Sequence, residues 1–149
     1  VVADATDELS IVNLLEAVDA ETGDLTLAIY NAGNNTPGRI IDMDADYFEH
    51  SWRVLCFGGF LFGRETLRKM QGAGGTLLFT GASASMRGRP GFGAFNSGKS
   101  ALRILAQAMA KEYGPDGIHV GHVVVDGPIG GEKIRKASQN MRKNSVMLA

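Results

Sequence analysis

A glycine-rich segment holds the residues whose types and spacing most directly suggest chemistry. Residues 93–100 read GAFNSGKS, which satisfies the G-x-x-x-x-G-K-[ST] spacing of a phosphate-binding P-loop. Further along, the hydrophobic run HVVVD ends at Asp126, where a P-loop NTPase would place an acid for Mg²⁺. The two features raise the hypothesis of a nucleoside triphosphatase in which Lys99 binds phosphate.

A P-loop also needs a structural context that the neighbouring residues do not provide. Its first glycine follows a strand directly, so that backbone N–H groups and a helix N-terminus surround the phosphates. Here the preceding β-rich run ends near Gly81, and Pro90 and several glycines interrupt the residues that follow. The pattern also places Lys99 inside a helix. The NTPase therefore stays a remote alternative.

The elements that must position Lys99 follow from the hydrophobic patterns. Strand patterns cover 25–33, 76–81 and 117–126, and the apolar run at the start of the chain resembles another strand. Helical patterns cover 10–23, 45–70 and 92–113, and the apolar stripe of the second runs through Phe48, Trp52 and Leu55. Near-continuous apolar strands that alternate with helices predict a parallel α/β sheet with helices on both faces.

The composition limits the classes of partner and compartment. A chain of 149 residues fits one domain. Its net charge of −1 predicts no strong attraction to nucleic acid or to an anionic membrane. No apolar run reaches the roughly 18–20 residues of a membrane span. The single cysteine, Cys56, cannot form an internal disulfide, so a reducing compartment, the cytoplasm, is expected. The three histidines do not cluster at metal-ligand spacing, and no metal site is predicted.

Six segments, taken in order, resemble the short-chain dehydrogenase/reductase family. They are DAT (4–6), YNAG (30–33), WRVLCFGGF (52–60), TLLFTGASAS (76–85), AFNSGKSALR (94–103) and GIHVGHVVVDGPI (117–129). The resemblance implies a partial Rossmann-like domain over 1–129 that binds NAD or NADP. The basic residues 130–149 would be a C-terminal segment of the same domain. The implied activity is hydride transfer between the cofactor and an unknown small alcohol or carbonyl compound.

The resemblance implies cofactor contacts at the end of one strand and on one helix. Asn31, Ala32 and Gly33 end the strand at the carboxyl edge of the sheet, where open α/β sheets bind ligands. Ala32 and Gly33 lack bulk, so the cofactor ribose can approach the backbone. Lys99 resembles the family lysine that donates to the hydroxyls of the nicotinamide ribose.

Two further cofactor contacts lie near the ends of the matched region. Asp4 and Ala5 resemble the family's adenine-contacting pair, although Asp4 also fits a solvated turn. Ile129 matches the position whose backbone meets the carboxamide in the family. In this chain the Pro-Gly that usually precedes that position is Asp126-Gly127.

The catalytic positions implied by the resemblance are largely replaced. In the family a tyrosine stands four residues before the lysine, one helical turn away. Here that residue is Phe95, which has no proton to donate. The substrate-orienting serine maps to Ala82, with Ser83 and Ser85 close enough to present a hydroxyl instead. The candidate catalytic residues are therefore Lys99, Ser83 and Phe95.

The relay asparagine of the family maps to Leu55. Two hypotheses follow from these replacements. The reaction proceeds with a different proton source, or the domain is a catalytically silent nucleotide-binding or interaction module of the same fold.

The family's glycine-rich pyrophosphate turn and first two strands would precede residue 1. In the 3-2-1-4-5-6 strand order, those two strands lie between the first apolar run and the strand that ends in Asn-Ala-Gly. We therefore expect a piece of a longer protein, or a free strand edge filled by direct pairing or by a partner chain.

The helix pair 45–70 and 93–113 carries apolar and small residues on more than one side, and it forms a dimer bundle in the family. A homodimer or homotetramer is expected. The basic tail is either a solvated helix or a lid over the site.

Overall fold

The computed structural model describes residues 1–127 of the chain. It contains three strands, β1 (Leu27–Tyr30), β2 (Gly75–Ala82) and β3 (Ile118–Val125). Its helices are α1 (Glu8–Thr22), α2 (Ala45–Trp52), α3 (Gly58–Met70) and α4 (Gly93–Tyr113). Short 3-10 turns occupy Ile40–Asp42, Ser83–Ser85 and Gly114–Asp116. The predicted contact Ile129 and the basic segment 130–149 lie outside the described residues.

The three strands form one parallel sheet in the order β1-β2-β3. Tyr30 of β1 pairs with Phe79 of β2, and Phe79 pairs in turn with His122 of β3. Helices α2 and α3 lie between β1 and β2 in the chain, and α4 lies between β2 and β3. The parallel α/β sheet predicted from the alternating patterns is confirmed.

One face of the sheet carries the hydrophobic core. The core cluster comprises Ala28, Tyr30, Leu67, Met70, Leu77, Phe79, Leu102, Ala106, Met109, Ile118 and Val120. The residues from α3 and α4 in this cluster show that both helices cover this face. On the opposite face Leu27 is 52% exposed and Ile29 is 53% exposed. The cover predicted for this second face is thus not supplied by residues 1–127.

Side chains and a glycine set the ends of the first two helices. The Asp7 carboxylate accepts from the Ser10 N–H at 2.6 Å at the start of α1, and Asp44 accepts from the Asp46 N–H at 2.8 Å at the start of α2. Gly23 ends α1 with φ 73°, a backbone conformation that favours glycine. Asp7, Asp44 and Gly23 thus act as helix caps.

The predicted helix over 45–70 contains a π-helical segment, Arg53–Phe57, between α2 and α3. Beside it the Tyr30 hydroxyl donates to the Val54 carbonyl oxygen at 2.5 Å, which ties the segment to the end of β1. Leu55 is fully buried, as its place on the apolar stripe predicts. Phe48 and Trp52, on the same predicted stripe, are exposed instead.

The prediction of a strand at the start of the chain is wrong. Val1 and Val2 are 85% and 99% exposed and have no strand conformation. A strand needs a neighbour for its backbone N–H and C=O groups, and no strand of residues 1–127 lies beside this run. The outer edge of β1 is also unpaired within the described chain, so direct pairing does not fill the predicted gap.

Candidate functional site

A cleft of about 720 Å³ lies at the carboxyl ends of the strands. Its lining comes from three strand ends with their following loops, 31–35, 80–84 and 125–127, and from the N-terminal part of α4 with the loop before it. Residues from that last wall are Arg89, Phe92, Phe95, Asn96 and Lys99. Parallel strands bring their carboxyl ends to one edge, which is why residues distant in the sequence meet here.

Lys99 is the buried cation of this cleft. Its side chain is 6% exposed, and Nζ donates to the Thr80 carbonyl oxygen at 2.7 Å. Burial lowers the pKa of the Lys99 ammonium from 10.5 to about 8. The group can therefore exchange a proton near neutral pH, which an ordinary surface lysine does not do.

Phe95 lies one helical turn before Lys99 and faces the same cleft. The Lys99 Nζ atom lies 5.9 Å from the centre of the Phe95 ring. The pairing follows from the i, i+4 spacing on α4, as predicted. An aromatic face stabilises a nearby cation but offers no oxygen for proton transfer.

The strand-end residues Asn31, Ala32 and Gly33 all line the cleft. A Cβ atom on Gly33 would lie 3.8 Å from Lys99 Nζ and 3.3 Å from Leu55 Cδ2. A larger side chain at position 33 would therefore extend into the space beside the ammonium. The structure brings these three residues and Lys99 together, as the sequence predicts.

Of the two candidate serines, only Ser83 lines the cleft. The Ser85 hydroxyl is buried and donates to the Ala82 carbonyl oxygen at 2.7 Å. Ser85 therefore has a local structural role, whereas Ser83 belongs to the cleft lining.

Asp4 and Ala5 are not part of the cleft lining. The Asp4 carboxylate accepts from the N–H and from the hydroxyl of Thr6, both at 2.8 Å, in a local turn. These bonds lower the pKa of Asp4. The role of both residues in adenine binding stays a prediction.

Two asparagines of the lining were missed in the sequence. Asn34 Nδ2 donates to the Ser51 hydroxyl at 3.2 Å, while Asn34 Oδ1 is buried with no partner within residues 1–127. Asn96 is buried, and its amide satisfies its neighbours when Nδ2 donates to the Phe92 carbonyl at 3.2 Å and Oδ1 accepts from the Arg89 N–H. Asn34 follows the Asn-Ala-Gly motif directly, which was a usable signal. Nothing in the sequence marks Asn96.

The histidines do not form a metal site in the described part of the chain, where no group of three or more potential ligands occurs. His122 Nε2 is buried without a hydrogen-bond partner there, and its ring lies against Gly81. Burial, followed by the charges of Lys99 and Arg103, lowers the pKa of His122.

The GAFNSGKS segment does not adopt a P-loop. β2 ends at Ala82 and α4 begins at Gly93, so a loop separates the strand from the first glycine. Lys99 lies within α4 and bonds to Thr80, away from the N-terminus of the helix. The backbone N–H groups of this segment are therefore not arranged around a phosphate site.

Comparison with known proteins identifies the family. Residues 1–147 match the family model described as enoyl-(acyl carrier protein) reductase. A short-chain dehydrogenase/reductase of Armillaria gallica is 30% identical over 129 residues, which are 85% of this chain and 49% of that protein. The chain belongs to the short-chain dehydrogenase/reductase family.

Two further proteins are similar in sequence or structure. A chloroplastic NADPH-dependent aldehyde reductase-like protein of Arabidopsis thaliana is 33% identical over 94 residues, 62% of this chain and 34% of that protein. The crystal structure of a short-chain dehydrogenase from Rhodopseudomonas palustris has 41% identity and a TM-score of 0.79, covering 84% of this chain and 59% of the other. The chain thus spans about half the length of the curated relatives it matches.

The sequence resemblance predicts that Phe95, Ala82 and Leu55 stand at catalytic positions of the family. Leu55 is fully buried in the π-helical segment, and a Cβ atom on Gly98 would lie 2.7 Å from Leu55 Cβ. Leu55 therefore forms an apolar contact between the π-helical segment and α4. That Lys99 is the one residue of the family's catalytic set in this chain stays a prediction.

Proposed function

We propose that this protein is a nicotinamide-nucleotide-dependent oxidoreductase that acts on a small alcohol or carbonyl compound, with NAD or NADP as cofactor. The observation that carries the proposal is the buried ammonium of Lys99 in a cleft at the carboxyl ends of parallel strands. The similar Arabidopsis protein is named as NADPH-dependent, which favours NADP over NAD as the cofactor.

The residues around Lys99 fit the sugar of such a cofactor. An ammonium has three N–H donors, and the Thr80 carbonyl accepts one of them. Two donors remain, one for a hydroxyl of the ribose and one for the substrate oxygen, and Gly33 leaves space beside them. When bound, the nicotinamide supplies or accepts the hydride. Asp4, Ala5 and Ile129 are proposed to contact the adenine and the carboxamide.

The proton required at the substrate oxygen needs a source other than Phe95. The lining side chains that carry an exchangeable proton include the Lys99 ammonium and the Ser83 hydroxyl. With its pKa lowered to about 8, Lys99 is by far the stronger acid. We assign proton delivery to Lys99 Nζ, which becomes a neutral amine, and substrate orientation to Ser83. A positioned acid typically contributes about 10²–10⁴-fold to the rate.

A second candidate function is a catalytically silent nucleotide-binding module of the same fold. Phe95, Ala82 and Leu55 favour it, because the chain has lost three of the family's polar catalytic groups. This candidate predicts cofactor binding without turnover.

We also propose a cytoplasmic homodimer or homotetramer. Cys56 is free and buried, in keeping with a reducing compartment. Exposed apolar side chains, Trp52, Phe60 and Ile104, lie on the helices α2, α3 and α4 that are predicted to form the interface. Among the described helices, none is both long and apolar enough to cross a membrane. Light scattering at micromolar concentration tests the assembly, and a monomer would contradict it.

The test of the function uses the full-length protein and three nucleotides. Calorimetric titration with NADH, NADPH and ATP plus Mg²⁺ should show binding of at least one nicotinamide nucleotide and none of ATP. Oxidation of the bound nucleotide is then followed on a panel of small aldehydes and ketones. Turnover supports the oxidoreductase, and binding without turnover supports the silent module. Binding of ATP alone would reject both.

A further inference from the structure

Arg89 is the second cation of the cleft, and its backbone is held in place by the surrounding loops. Its carbonyl accepts from the Phe92 N–H at 3.2 Å, and its N–H donates to Asn96 Oδ1 in the amide orientation that satisfies the neighbours of Asn96. The same loop is joined to the loop that follows β1, because the Gly38 N–H donates to the Gly91 carbonyl at 2.8 Å. The side chain of Arg89 therefore projects from a defined position on the cleft wall.

The guanidinium of Arg89 has no carboxylate partner within residues 1–127, where the ion pairs involve Arg64, Arg68 and Lys69. Its Cζ lies 5.4 Å from the centre of the Phe92 ring, a cation–π contact. Stacking on a ring leaves the N–H donors at the guanidinium edge available. Their planar, forked arrangement matches a carboxylate or a phosphate.

The charges and apolar surfaces of the lining define the rest of the ligand. Arg89 and Lys99 are both cations, and Asp126 is the one acidic residue among the lining residues. The rings of Phe92 and Phe95 lie along the same wall, on α4 and just before it. An anion at Arg89, a short carbon body at the two rings and an oxygen at Lys99 would match this arrangement.

We propose that the substrate of the cleft is an anion, a carbonyl or hydroxy compound with a carboxylate or phosphate group that Arg89 binds. The term substrate rests on the proposed oxidoreductase function. The anion preference itself rests on the position of Arg89 and needs no turnover.

The experiment measures binding of matched probes to the full-length protein by ligand-observed NMR, with and without NADH or NADPH. The probes are levulinate with methyl levulinate, acetoacetate with methyl acetoacetate, and glyceraldehyde 3-phosphate with glyceraldehyde. At least one anion should bind about fivefold more tightly than its uncharged partner, which is the discrimination that an exposed ion pair can supply. Arg89→Gln should remove that preference, and Arg87→Gln, at an exposed residue outside the lining, should keep it.

Three results would overturn the proposal. The first is equal binding of every anion and its uncharged partner, and the second is an anion preference that survives Arg89→Gln. The third is a loss of NADH or NADPH affinity in Arg89→Gln, which would show that Arg89 binds an anionic group of the cofactor instead of the substrate. Failure of the proposed function has a different signature. In that case no nicotinamide nucleotide binds, while the anion preference and its dependence on Arg89 persist.

Discussion

The Nζ atom of Lys99 lies 5.9 Å from the centre of the Phe95 ring, one helical turn along the same face of α4. The pair combines a buried ammonium with an aromatic side chain that has no exchangeable proton. In the short-chain dehydrogenase/reductase family a tyrosine hydroxyl stands at the position of Phe95. Reduction of a carbonyl compound in the cleft therefore depends on whether Lys99 alone can deliver the proton that the substrate oxygen needs.

Phe95→Tyr tests this dependence by adding the missing hydroxyl. If the wild-type protein is silent, the variant should gain turnover of about 10²–10⁴-fold over background, the usual contribution of a general acid. If Lys99 delivers the proton in the wild type, the gain should be much smaller. Steady-state oxidation of NADH or NADPH measures the difference. Phe48→Tyr, at an exposed residue of α2 outside the cleft lining, is the matched control and should leave turnover unchanged.

The lowered pKa of Lys99 predicts a pH-dependent stability. Between about pH 8 and pH 10.5 the folded protein binds fewer protons at Lys99 than the unfolded chain. The penalty for the buried charge is therefore fully present below pH 8 and disappears as the pH rises toward 10.5. Each pKa unit corresponds to about 1.4 kcal/mol, so the change is at most on the order of 3 kcal/mol.

The measurement compares denaturant unfolding of the wild type and Lys99→Met across this pH window. The free energy of unfolding of the wild type should rise relative to the variant as the pH increases. A constant difference would show that Lys99 keeps an ordinary pKa.

Gly58 is predicted to be intolerant of a side chain. It begins α3 beside the π-helical segment, and a Cβ there would lie 2.6 Å from the Ala5 carbonyl oxygen and still closer to the Tyr30 hydroxyl. Gly58→Ala should lower the free energy of unfolding by about 1–3 kcal/mol, as other overpacking changes do. Gly114→Ala, where no atom lies near the added methyl group, is the control. Equal stability of the two variants would contradict the packing of Ala5 on α3.

Thr66 on α3 is fully buried, and its hydroxyl has no partner within residues 1–127. An unpaired buried hydroxyl costs about 1–3 kcal/mol. Thr66→Val, which keeps the shape, should therefore raise the free energy of unfolding. Thr22→Val removes a hydroxyl that donates to the Val18 carbonyl at 2.9 Å, so it should not stabilise. Destabilisation by Thr66→Val in thermal unfolding would indicate a partner for the hydroxyl.

The sequence predicted the parts of the site that depend on spacing along single elements. Lys99 and Phe95 share a helix face because they are four residues apart, and Asn31, Ala32 and Gly33 meet them because parallel strands end at one edge. These relationships follow from helix and sheet geometry alone.

Other features depend on contacts between distant segments and were missed for that reason. The π-helical segment Arg53–Phe57 keeps the hydrophobic pattern of an ordinary helix, so periodicity does not reveal it. Arg89 lies in a segment without a helix or strand pattern, and its place on the cleft wall depends on how that loop packs beside α4. The initial strand was predicted from its apolar residues, yet a strand also requires a neighbour.

The central claim is that the Lys99 ammonium holds the sugar of a nicotinamide nucleotide in the cleft. Calorimetric titration of the full-length wild type and Lys99→Met with NADH and NADPH tests it most directly, with Lys111→Met at an exposed site of α4 as control. We expect a loss of affinity of about ten- to hundredfold in Lys99→Met, the range for hydrogen bonds to a charged group, and none in Lys111→Met. Unchanged affinity in a correctly folded Lys99→Met protein would contradict it.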